Sequence, residues 1–510
     1  MSSHPPSSPP SSVVRFPSSQ RIVENWKWKG AILTIYMTCI INGFDVSNVA
    51  NIQPQLYVAF GHIEYLPWIG LSYSLANFAT LSFAGRILDI FDIRHIYLAS
   101  IVVFAAGAAL AGSAKTISAI IAGRAVMGIG GSICQNCQGP FLYGILSSLW
   151  AVGLVIGGPV GSALAEKVTW RWAFYINLPF LGFAFHHGSH NCSLCYCGYF
   201  FWSRVELELS ALLHNMGCFA AVFVLCGTLH CTRFTAAIKD RLHTSFKSVP
   251  DRRVIPIELM GRRNILPLWI VSGCAGATYA VTLYYLPLFY AFSKGHGALQ
   301  QTIRMLPFIL TFIVTVLIVG AFLSKIKQYG VIYVVGGATT LASGTSLAII
   351  LDSDVSESKV MGLTALIGIG LGFQFQHGNA ISNTINKTLR DRVESAALLN
   401  MSLMGGISTA LIMAGAIYEN RGMALLPSTL EPFHYDDKTI REALAGVSPT
   451  VWEGAETNIT AYGADATTQA ISSLLYIISS SGALCLFCGA LILWDMKLKR
   501  GYRENAVATV

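Results

Sequence analysis

Charge is what this sequence has least of. Asp, Glu, Lys and Arg make up 12% of its 510 residues, against 53% hydrophobic, whereas a soluble domain carries about 25% charged residues. A chain so poor in charge has no surface to offer water, and lipid is the solvent that fits it. The net charge of +8 does not point to nucleic acid, because the bases stand in short clusters between apolar runs, where they set orientation in a bilayer. No Gly-x-x-x-x-Gly-Lys-Ser/Thr loop occurs, so ATP does not drive the protein directly. A zinc-protease helix and a nucleophile elbow are absent too, which indicates neither an enzyme nor a cofactor. A secreted disulfide framework is also missing. Of the twelve cysteines, Cys39, Cys274, Cys485 and Cys488 lie in apolar runs, where Cys acts as a small hydrophobe. His186, His187, His190, Cys192, Cys195 and Cys197 cluster without a paired second knuckle, so no metal site is expected. Residues 1–28 lack an apolar core and begin rich in Ser and Pro. They are expected to form a disordered cytoplasmic tail, not a cleavable signal.

What is abundant is long apolar runs. A crossing of the hydrocarbon core takes about 20 residues. Thirteen runs qualify as candidates: 30–50, 65–84, 96–113, 117–137, 142–165, 172–186, 211–231, 265–292, 305–323, 331–351, 360–381, 395–418 and 471–494. Many are rich in Gly and Ala, which let helices approach closely in lipid. Loop charges orient them. With Arg252, Arg253, Arg262 and Arg263 cytoplasmic, the basic groups at Lys325 and Lys327, at Lys387, Arg390 and Arg392, and at Lys497, Lys499 and Arg500 also fall inside. The acidic loops 352–359 and 419–470 then fall outside, and Asn458-Ile-Thr is a glycosylation sequon on the outer side. The expected organisation is an N-terminal bundle over 29–186, an irregular linker with one or two spans over 187–263, and the main part of a C-terminal bundle over 264–418. An extracellular loop over 419–470, a last span at 471–494 and a cytoplasmic tail over 495–510 follow.

Five segments carry a family resemblance, in order along the chain. Phe44 to Pro54 holds Asp45, Ser47 and Pro54. Gly85-Arg-Ile-Leu-Asp-Ile-Phe-Asp-Ile-Arg94 follows the second span. Arg124-Ala-Val-Met-Gly-Ile-Gly-Gly131 places an Arg inside the fourth. Gly153 to Ala163 contains Gly158-Pro159, and Trp170-Arg-Trp-Ala-Phe-Tyr-Ile-Asn-Leu-Pro179 follows. Together they resemble the major facilitator superfamily, in its fungal-type fourteen-span drug–proton antiporter branch. The implied fold is all-α and polytopic: two six-helix bundles plus extra linker and C-terminal spans, with 13 clear and 14 expected. The chain departs from the pattern at Asp92 and Ile93, in the short stretch Gln135 to Tyr143 after the fourth span, and over 183–250.

The resemblance implies a monomeric, proton-coupled exporter of a drug, toxin or secondary metabolite in the plasma membrane, with small molecule, protons and lipid as its partners. Two alternatives stand beside it: an importer of siderophores or other small molecules from the same superfamily, and an inactive remnant, which the departures favour. Asp45 and Arg124 are costly inside a span unless paired or wetted. They are the candidates for proton coupling, with helix packing as the plainer reading. Gly85, Asp89 and Arg94 are the candidate gating latch, or a simple solvated turn. Gly153, Gly158 and Pro159 are the candidate antiporter motif, or ordinary small-residue packing. Gln374, Gln376 and Asn379 are candidate cavity residues, or a polar helix end. Trp170, Arg171, Trp172 and Tyr175 read as interfacial anchors.

Overall fold

A computed structural model describes residues 25–60, 65–90, 93–136, 143–188, 259, 265–323, 325–326, 328–386, 388–430 and 457–508. The linker 189–258, with the apolar run 211–231 and the residues His190 to Cys197, lies outside the described residues. So does the predicted N-terminal tail as far as residue 24.

Every described element is helical. The N-terminal half contains α1 (Asn25–Asn51), α2 (Gln53–Phe60), α3 (Leu66–Ile90), α4 (Ile93–Gly112), α5 (Ile117–Asn136), α6 (Tyr143–Lys167), α7 (Trp172–Tyr175) and α8 (Asn177–Gly188). The C-terminal half contains α9 (Ile265–Leu288), extended by a π-helical turn at Phe289–Ser293, then α10 (Ala298–Phe322), α11 (Gly330–Ile350), α12 (Glu357–Gln374), α13 (His377–Ile385), α14 (Leu389–Leu430) and α15 (Thr457–Ala508). Among the described residues, nine segments are long and apolar enough to cross a membrane.

Lipid leaves a backbone no water to bond with, so helices close their own hydrogen bonds. Hydroxyl side chains inside the spans do likewise, bonding one turn back: Thr38 to the Thr34 carbonyl at 3.1 Å, Thr282 to Thr278 at 2.8 Å and Ser343 to Thr339 at 2.7 Å. On α10 the large apolar side chains Ile303, Leu310, Val314, Leu317 and Ile318 share one exposed stripe. Such a stripe has no place in water and faces lipid in a bilayer.

The helices pack as two bundles. In the first, α1 lies on α6, and α5 is held between α3 and α4. In the second, α11 packs on α12 and α15, and α9 on α14 and α15. The last helix is therefore the sixth member of the C-terminal bundle and not an appendage. The helices also outrun their apolar cores. α14 continues through Glu419, Asn420 and Arg421 to Leu430, and α15 already begins at Thr457. Residues 419–430 and 457–470 of the expected outer loop are thus helical. Hydropathy marks where a helix leaves lipid, whereas Glu, Arg and Ala propensity lets it continue beyond.

The two bundles meet along two main seams, α3 against α14 and α6 against α10. The start of α3 meets α14 at Gly415, on which Pro67 is pressed.

Candidate functional site

Asp45 in α1 and Arg124 in α5 place one acid and one base where the surrounding helices tolerate neither alone. Both side chains are fully buried, 0% exposed, and Arg124 Nη1 donates to Asp45 Oδ2. Arg124 Nε donates to the Ile69 carbonyl of α3 at 3.3 Å, and its guanidinium carbon stands 4.6 Å from the centre of the Tyr73 ring. The second carboxylate oxygen, Asp45 Oδ1, accepts from Asn177 Nδ2 at the start of α8, 3.0 Å away. Four helices of the N-terminal bundle thus hold one ion pair. A pair this dry survives because further hydrogen bonds satisfy its remaining lone pairs and protons. Arg124 Nη2 is the exception, making no hydrogen bond. The phenol of Tyr284, from α9 of the other bundle, lies beside the guanidinium.

The glycines of α6 form a second feature. A side chain at Gly153 would strike the Ile40 carbonyl oxygen, and one at Gly157 that of Phe44, so α6 rests directly on the α1 backbone. At Gly158 the free space ends at Thr302 Cγ2, 2.8 Å from where a β-carbon would sit, and at Asn51 Nδ2, at 3.1 Å. Pro159 lies inside the helix and removes one backbone donor. Just beyond, the Ser162 and Thr302 hydroxyls are 2.6 Å apart, and Thr302 Oγ1 donates to Asn51 Oδ1 at 3.0 Å. One turn later Glu166 Oε1 accepts from the Leu299 amide at 2.8 Å. Thr302 and Leu299 belong to α10, so each of these bonds to them crosses from one bundle to the other.

A third feature is aromatic. Trp150 of α6 stacks on Phe375, with centroids 5.4 Å apart and planes 17° from parallel. Tyr279 of α9 stands 5.9 Å from Trp150 and 5.8 Å from Phe375, and Phe312 meets Phe375 edge-on at 5.1 Å. Only a small void remains among Trp150, Phe312 and Phe375. Phe375 ends α12, and Gln376 then takes a left-handed backbone, φ 59°, before α13 begins. Among the described residues it is the sole non-glycine with that geometry, and it costs about 1–2 kcal/mol.

The other expected residues are placed as follows. Gln374 Nε2 donates to Thr340 Oγ1 at 2.8 Å, and Asn379 Nδ2 to Asn400 Oδ1 at 3.1 Å. Both bonds lie within the C-terminal bundle, and Phe375, between them in sequence, is the residue that reaches across. Gly85 and Asp89 lie near the end of α3 and Arg94 at the start of α4; their side chains, like that of Asn458 in the first turn of α15, are outside the described residues. Arg171 Nη1 donates to the Gly112 and Ala114 carbonyls at 3.0 and 2.6 Å and lies over the Trp170 ring at 4.4 Å. It ties down the end of α4. Asn177, Tyr73, Tyr284 and Trp150 complete the geometry without having been singled out. Their one available signal was Asn177, standing in the quoted Trp170 to Pro179 segment.

Residues 35–413 match the family model described as Major Facilitator Superfamily. The chain belongs to the major facilitator superfamily. Among relatives of this facilitator, the efflux pump DEP3 of Fusarium langsethiae is 30% identical over 443 residues, covering 79% of this chain and 78% of the pump. The MFS-type transporter patC of Penicillium expansum is 26% identical over 512 residues, 92% of each chain. A solved bacterial homologue of the human lysosomal transporter Spinster, inward-facing and unoccupied, has a TM-score of 0.55 at 13% identity. It covers 92% of this chain and 98% of its own. The facilitator is thus a multi-pass membrane transporter and not an enzyme. Its buried ion pair belongs to the N-terminal bundle alone, whereas its aromatic cluster and hydroxyl contacts join both halves.

Proposed function

We propose that this transporter exports small, ring-bearing apolar molecules across the plasma membrane in exchange for protons. The observation that carries the reading is the fully buried Asp45–Arg124 pair. A carboxylate can bind and release a proton, while a guanidinium cannot discharge. Protonation of Asp45 leaves Arg124 as an uncompensated cation in an apolar bundle, which is strongly unfavourable. The size of that cost depends on what else reaches the guanidinium in each arrangement of the bundles, and a group that alters the balance between two arrangements couples proton binding to alternating access.

Export is supported by the relatives, among them efflux pumps. Antiport is supported by the glycine face of α6, which seats that helix on α1 and admits Thr302 beside Gly158. Cargo chemistry follows from Trp150, Tyr279, Phe312 and Phe375, which present ring faces and no charge at the seam between bundles. The basic loops assigned to the cytoplasm put the Ser162–Thr302 contact at the extracellular end, so the arrangement described is closed to the outside.

Efflux from expressing cells, with and without a proton ionophore, tests the proposal. Expressing cells should retain less of at least one aromatic compound from a panel, and the ionophore should abolish the difference. Equal retention in expressing and empty cells across the panel defeats export. Efflux that ignores the ionophore defeats proton coupling.

A further inference from the structure

We infer that Tyr284 is the group from the C-terminal bundle that senses the protonation of Asp45, taking over as hydrogen-bond acceptor for Arg124 when Asp45 is neutralised. The inference rests on the proton-coupled reading above and adds a residue and a direction to it.

Three observations converge on this position. Arg124 is held by Asp45, by the Ile69 carbonyl and by the Tyr73 ring, yet its Nη2 is buried and bonded to nothing. A buried donor without an acceptor costs about 1–3 kcal/mol, so the guanidinium is poised to take another partner. The phenol that faces this guanidinium from the other bundle is that of Tyr284. Tyr284 is also fixed in place. Its ring lies against Gly70, where a β-carbon would stand 2.4 to 2.7 Å from ring atoms, so no other residue at 70 would leave room for it. Gly70 follows Ile69, whose carbonyl already binds Arg124.

Tyr284 belongs to α9, and its reach to Arg124 therefore exists only while the two bundles are together at this end. The same helix carries Tyr279 into the aromatic cluster with Trp150 and Phe375. One helix thus touches both the ion pair and the proposed cargo position. The charged and titratable groups facing Tyr284 are Arg124 of α5 and Asp45 of α1, with Tyr73 of α3 and Tyr279 close by.

The direction follows from the bonding. With Asp45 ionised, Arg124 has a full counter-charge and Tyr284 adds little. With Asp45 protonated, the guanidinium loses that partner and the Tyr284 oxygen becomes its substitute. Tyr284 therefore stabilises the proton-loaded form specifically in the arrangement closed at the Ser162–Thr302 end. A proton antiporter needs that preference: loading a proton from outside must favour closing to the outside.

The test requires no cargo. Full-length protein in lipid nanodiscs is followed by hydrogen–deuterium exchange over residues 158–168 and 296–303, corrected for the intrinsic pH dependence of exchange. Wild type should open at this end as pH rises, with a defined midpoint. Tyr284→Phe keeps the ring on Gly70 and removes only the oxygen, so proton loading becomes harder and the midpoint should move about one unit to lower pH. Tyr333→Phe, a buried phenol elsewhere in the C-terminal bundle, should leave the midpoint in place, and melting temperatures verify folding of each variant. If Tyr284→Phe melts early, Tyr284→Gln, which returns an acceptor, should recover part of the wild-type midpoint. An unchanged midpoint in Tyr284→Phe, or an equal shift in Tyr333→Phe, overturns the role of Tyr284 and leaves the proton reading intact. A wild-type protein whose opening ignores pH overturns both.

Discussion

At the scale of single residues, the centre of the molecule is a charge pair that neither member could occupy alone. Removing one member of a buried pair costs about 3–5 kcal/mol, because the survivor stays buried and charged. Asp45→Asn should therefore lower the melting temperature of the purified protein and abolish ionophore-sensitive efflux. The double variant Asp45→Asn with Arg124→Gln should regain part of the lost stability and none of the transport. A double variant as unstable as the single one would show that the two residues do not act as a pair. These two positions were legible in the sequence for a simple energetic reason: an ionised group inside an apolar run must be explained. Asn177 and Tyr284 were not. Neutral amides and phenols are cheap enough to occur throughout membrane spans, and only three-dimensional packing brings Asn177 to Asp45 across 132 positions of sequence.

At the scale of elements, α6 is the helix that packs on α1 in its own bundle and on α10 in the other. Its glycines at 153 and 157 set the distance to α1, and Gly158 sets the distance to Thr302 in the opposite bundle. Gly158→Leu should wedge α10 away, at an overpacking cost of about 1–3 kcal/mol. Exchange over 296–303 should rise in that variant, while the exchange of α4 stays as in wild type. Protection of 296–303 equal to wild type would show that the helix absorbs the side chain without parting the bundles. The glycine run was readable from sequence, since Gly at such density in a span signals close backbone approach. The break between α12 and α13 was not. Residues 360–381 read as one continuous span, and the residue that turns the chain is Gln376, which carries no turn signal of its own. Its left-handed backbone lies between two held rings: Phe375, packed on Trp150 and Phe312, and His377, whose ring nitrogen is 2.9 Å from the Gly372 carbonyl.

At the scale of the whole molecule, the described helices form two halves that touch along α3–α14 and α6–α10. Sequence reading recovered the all-helical membrane fold and the family, because lipid imposes a length and a polarity that any spanning helix must show. It could not recover which helices form the seams, since both faces of such helices are apolar and the partner is chosen by fit. Ser162→Cys with Thr302→Cys should cross-link under mild oxidation, given hydroxyls 2.6 Å apart, and efflux should stop until a reductant is added. Cross-linking that leaves efflux untouched would show that these helices stay together throughout the cycle. The nearby contact between Glu166 and the Leu299 amide has a different consequence. Leu299 lies in the first turn of α10, where the peptide dipoles present a partial positive end, so one bundle supplies the counter-charge for a helix that starts in the other. That attraction lies in reach of water and dissolved ions, which screen it. In the proposed exchange cycle, the resting balance between the two faces should therefore shift with the ionic strength of the medium bathing that end, even where no proton or cargo is bound.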